Sequence, residues 1–169
     1  MSFIAQVTIS IVIYFIIRFF YQKEKSLYFA GFIAAFSYVL IYLATYEIIS
    51  IMPTIHFMVT GLSLLFIFIA YNEIIILERK VRKVKKGELI NIEPFSVERN
   101  YKIVFKLLGI GLIFLSLALV SGFTLQTIFT ANLLFKAIFT FIAWIIFLIT
   151  FIGVQYANFP IKYATRSLF

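Results

Sequence analysis

His56 is the single histidine of this chain, and Thr60 and Ser63 follow it at the spacing that puts three polar side chains on one helical face. In an otherwise apolar helix such a stripe turns inward, because an unpartnered polar group is costly against hydrocarbon. A neutral imidazole so placed can be an axial haem ligand or a metal ligand, or can take part in proton transfer. It can equally be an interfacial side chain wetted by headgroup water. Glu47 and Lys136 fall at the depth of His56, near the ends of the neighbouring apolar stretches. Three ionisable groups at one level could hold an anionic ligand against Lys136. The plainer readings are a Glu47–Lys136 ion pair, or a lysine snorkelling to the surface. Glu73, beside Asn72, lies deeper in the same stretch as His56 and is expected to pair with Lys106 of the next one.

Other chemistry is missing from the sequence. Cysteine and aspartate are absent, which excludes disulfides, thiolate metal sites and thiol redox chemistry. No phosphate-binding loop, nucleophile motif, paired carboxylates or metal-ligand cluster is present, so a binding or handling protein is expected rather than an enzyme. The basic run Arg79, Lys80, Arg82, Lys83, Lys85 and Lys86 could contact anionic lipid or a partner, although setting topology is the simpler role. Gly109, Gly111 and Gly122, with Ser116 and Ser121, read as helix-packing positions.

The elements that must position these residues follow from hydropathy. With 63% hydrophobic and 13% charged residues, the 169-residue chain cannot build a water-exposed surface. Crossing a bilayer takes about 20 helical residues, and the apolar stretches at about 3–20, 27–50, 55–77, 103–123 and 133–154 each meet that need. The reading is an all-α integral membrane protein, a single domain of five transmembrane helices, with a basic connection over 78–102. The loops alternate between basic and uncharged. Of fifteen Lys and Arg residues, Lys136 alone lies near an uncharged loop, which places the N-terminus outside and the C-terminus in the cytoplasm. The formal charge of +8 therefore orients the chain against lipid and does not point to nucleic acid. Pro53 is expected to separate the second and third helices, with Thr54 as N-cap, and Gly87 to stop the cytoplasmic extension of the third. Ser96 and Glu98 read as the start of the fourth.

Several of these residues also fall into a known pattern. His56 with Ser63 and Ala70, Pro94 followed by Ser96, Val97, Glu98 and Arg99, then Gly111 and the Ser121–Gly122 pair, and finally Lys136, Ala143 and Trp144 lie along the third to fifth helices. Together they resemble the cytochrome c assembly family of haem-handling inner-membrane proteins, in its HemX-like and YpjD-like branch and in shortened form. The resemblance implies a bacterial inner membrane location, haem at the outer face, His56 as ligand and Lys136 near a propionate. It also implies a membrane-protein partner or a homo-oligomer. The family's tryptophan-rich, aspartate-containing outer loop is replaced here by residues 124–132, with neither residue type. Its second outer histidine belongs to a span that would begin after about Arg166. A five-coordinate or partner-completed haem is therefore expected. Two other classes stay open: a membrane scaffold or accessory subunit without cofactor, and a small transporter component using Glu47, Glu73 and Lys136. The transporter would need broken helices or inverted repeats, which the sequence does not carry.

Overall fold

The computed structural model describes residues 2–20, 26–45, 51–87, 97–125 and 131–155. They form five α-helices: α1 (Phe3–Phe20), α2 (Ser26–Thr45), α3 (Ile51–Lys85), α4 (Val97–Leu125) and α5 (Ala131–Gln155). All five are long and apolar enough to cross a membrane. Cross-helix contacts set the directions. Tyr14 of α1 reaches Glu73 of α3, and Phe3 lies against Phe57, so α1 and α3 run parallel. His56 of α3 meets Ser121 of α4, and Ser63 meets Gly111, so α3 and α4 are antiparallel. Trp144 of α5 meets Ser116 of α4, while Phe151 lies against Gly109, an antiparallel register again. One end of the bundle thus carries His56, and the other carries Arg18 and the basic end of α3.

The α3–α4 seam is the most extensive in the bundle. Small residues make it close. A methyl group on Gly111 would lie 2.9 Å from Ile67 Cγ1 and 3.2 Å from the Ile67 backbone nitrogen, so glycine is needed for the two backbones to meet. The fully buried Ser63 donates to the Gly111 carbonyl at 3.2 Å across that seam. Gly61 of α3 is a second notch. A methyl there would overlap the hydroxyl and ring of Tyr38, which is completely buried on α2 and donates to the Phe57 carbonyl at 3.1 Å. By contrast α5 packs chiefly against α4, and only 6% of its apolar span is buried in the bundle.

Of three boundaries in the sequence reading, one differs, one lies outside the described residues and one agrees. Helix α3 begins at Ile51 and takes Pro53 into its first turn, where the missing amide has no intrahelical acceptor to lose. Thr54 accordingly sits inside the helix and is not its N-cap. Helix α2 ends at Thr45, and residues 46–50, with Glu47, lie outside the described residues. The expected stop at Gly87 is present. Its φ of +76° is left-handed, and its amide donates to the Val84 carbonyl at 3.0 Å. Helix α3 is therefore 35 residues long, roughly 52 Å at 1.5 Å per residue, well beyond the about 30 Å of a hydrocarbon core.

Candidate functional site

His56 is held by its neighbours on α4. Its Nδ1 lies 2.9 Å from Ser121 Oγ, and Ser121 Oγ also donates to the Ala118 carbonyl at 3.1 Å. The ring sits over Gly122, where an added methyl group would come within 3.2 Å of Cε1. Glycine at that position is what lets the imidazole lie so close to the α4 backbone. The sequence pattern 121–122 was legible as small residues for packing, but not as the seat of the histidine.

A cavity of about 260 Å³ opens beside the ring between α3, α4 and α5. His56, Thr60 and Thr140 line it together with Lys136, and the rest of the wall is apolar, with Leu115, Leu119 and Phe123 prominent. Both threonine hydroxyls donate to carbonyls of their own helix, Thr60 to His56 and Thr140 to Lys136, which leaves them as acceptors toward the cavity. Lys136 is exposed and forms no ion pair among the described residues. Two of the three groups expected at one depth are thus brought to one cavity; Glu47, the third, lies outside the described residues.

Ser63 does not join this site. It shares the helical face of His56 but is used up in the α3–α4 seam through Gly111. Glu73 does not pair with Lys106, which is exposed on α4. Its carboxylate instead accepts from Arg18 Nε at 3.1 Å and from the Tyr14 hydroxyl at 2.7 Å, with Glu73 and Tyr14 buried and Arg18 mostly so. The sequence did hold a signal: Tyr14 and Arg18 are four residues apart on α1, hence on one face. Arg18 read as a topology marker because charges at helix ends usually are. A further polar group is Gln6 of α1, fully buried, whose amide donates to Thr45 Oγ1 and whose Oε1 has no partner among the described residues.

The donor set matches one axial haem contact: an imidazole with one ring nitrogen fixed and the other available, and a cation in the same cavity. The volume matches less well, since about 260 Å³ falls below the roughly 300–1,000 Å³ of pockets that enclose drug-sized ligands. Among the described residues no three potential metal ligands of the His, Cys, Asp or Glu type cluster. Comparison with protein-family models, with curated proteins and with solved structures finds no match in any of the three.

Proposed function

We propose that this chain is a multi-pass protein of a bacterial cytoplasmic membrane that binds haem at its outer face and passes it on without transforming it. The observation that carries the reading is that His56 and Lys136 line one cavity. A bound haem would supply an iron for protein ligation. The imidazole of His56 would ligate it, Lys136 would neutralise a propionate, and the apolar wall would shield the macrocycle edge from water. With so small a volume, this reading requires lipid or a partner protein to complete the site. This is the chemistry expected of the cytochrome c assembly family that the sequence resembles.

The orientation belongs to the same proposal. Arg18, Arg79, Lys80, Arg82, Lys83, Lys86, Lys102 and Lys106 mark one end of the bundle, and the positive-inside tendency makes that end cytoplasmic. The protein contains no native cysteine, so single introduced thiols report topology directly. Thr124→Cys is expected to react with a membrane-impermeant maleimide in intact cells, and Lys86→Cys only after permeabilisation. The reverse pattern would invert the arrangement.

Haem binding is tested by the visible spectrum of detergent-purified protein titrated with haem. A saturable Soret band that disappears in His56→Ala and weakens in Lys136→Ala is the expected result. A band indifferent to His56→Ala would sink the haem assignment. The cavity volume favours one alternative in that event, a non-catalytic scaffold in which His56 and Ser121 join α3 to α4. The transporter reading gains nothing from Glu73, whose carboxylate is committed to Arg18 and Tyr14.

A further inference from the structure

We propose that Ser121 is a positioning residue that fixes neutral His56 in the tautomer protonated on Nδ1, leaving Nε2 as the lone-pair nitrogen. A serine hydroxyl has a single hydrogen to donate and two lone pairs to accept with. The Ala118 carbonyl, 3.1 Å from Ser121 Oγ, can only accept, so the hydroxyl hydrogen goes there. Toward His56 Nδ1, at 2.9 Å, the same oxygen must then accept, and the hydrogen between them belongs to the imidazole.

The opposite tautomer makes fewer bonds. With the proton on Nε2, Nδ1 becomes an acceptor and Ser121 has to turn its hydrogen from Ala118 to the ring. One hydrogen bond is lost, and Nε2–H becomes a donor with no partner among the described residues. A difference of one net hydrogen bond corresponds to roughly tenfold in population. The contact of the ring with Gly122 adds to this by seating the imidazole where Ser121 can reach it. Histidines that ligate metals regularly donate their second ring N–H to a fixed acceptor, which raises the basicity of the ligating nitrogen. Here a helix-borne hydroxyl, itself anchored to a carbonyl, takes that role.

The tautomer follows from the hydrogen bonds alone; its use in holding iron rests on the function proposed above. Because the chain has a single histidine, ¹⁵N-histidine labelling gives one imidazole to assign by NMR in mildly alkaline detergent solution. The wild-type protein is expected to show the Nδ1–H tautomer in excess. Ser121→Ala is expected to lose that excess, and Ser121→Thr, whose hydroxyl can make the same bond to a preceding carbonyl, to restore it. A wild type dominated by Nε2–H, or a Ser121→Ala protein with unchanged tautomers, would overturn the assignment. Titration with haem adds a second readout: about tenfold weaker binding in Ser121→Ala, recovered in Ser121→Thr. If the wild type shows Nδ1–H but takes up no haem, the tautomer assignment is supported and the haem-binding function is the one that fails.

Discussion

Replacing Arg18 by alanine is expected to cost about 3 kcal/mol or more of stability, the scale found when one partner of a buried ion pair is removed. The carboxylate of Glu73 would be left facing only the Tyr14 hydroxyl, in the inner part of a helix that is 4% exposed at that residue. It must then either stay charged in an apolar setting or take up a proton, and both are unfavourable. Glu73→Ala should cost less. Arg18 lies in the last turn of α1, where a long cationic side chain can snorkel toward headgroups, whereas Glu73 lies on a short side chain inside α3. Unfolding in mixed detergent gives both values, and the order Arg18→Ala worse than Glu73→Ala is the sharp part of the prediction. The double replacement Arg18→Leu with Glu73→Leu should recover most of the loss, because an apolar pair of similar volume often matches a buried ion pair. A double variant as unstable as Arg18→Ala would show that the pair does more than satisfy its own charges.

Gly61→Ala is the second large effect. The added methyl would overlap both the hydroxyl and the ring of Tyr38, and that ring is completely buried. A rigid aromatic cannot bend away from the contact as an aliphatic side chain could, so α2 must shift from α3 or Tyr38 must leave its rotamer. Overpacking of this kind costs about 1–3 kcal/mol, and losing the Tyr38 bond to the Phe57 carbonyl adds to it. Tyr38→Leu alone should destabilise by removing packed volume. In combination, Gly61→Ala and Tyr38→Leu should be less unstable than their separate effects added together, since the methyl then fills space the ring has left. Strict additivity in a thermal-unfolding series would show that the two residues do not share this contact.

Both effects turn on neighbours that hydropathy does not encode. Apolar length was enough to locate every span, and α1 has the same limits in sequence and structure, 3–20. Gly87 was legible as a stop because a left-handed residue after a helix is a local event. Pro53 misled for a related reason: proline breaks a helix interior but suits its first turn, and only the position of the turn distinguishes the two. Register between helices is not local. Whether Glu73 meets Lys106 or Arg18 depends on which helix lies beside α3 and how far it is displaced along the axis. The same applies to Ser63 and Ser121. Each is a serine on an apolar helix in the sequence, yet Ser63 joins two backbones while Ser121 grips the imidazole. Lys136 and His56, 80 positions apart, were placed together by depth alone, and they do line one cavity.

The loose attachment of α5 bears on that cavity. Its other walls, α3 and α4, are the two helices most tightly joined in the molecule, whereas the wall bearing Lys136 is joined to the bundle mainly along one seam. Between lipid-bathed helices no hydrophobic force pulls such a wall shut; what resists its separation is side-chain packing plus the Trp144–Ser116 hydrogen bond. The wall bearing Lys136 is therefore the one held least firmly, and widening the gap would require parting only the α4–α5 seam. Were a ligand larger than the resting volume to enter, parting α5 from α4 would disturb less packing than parting α3 from α4.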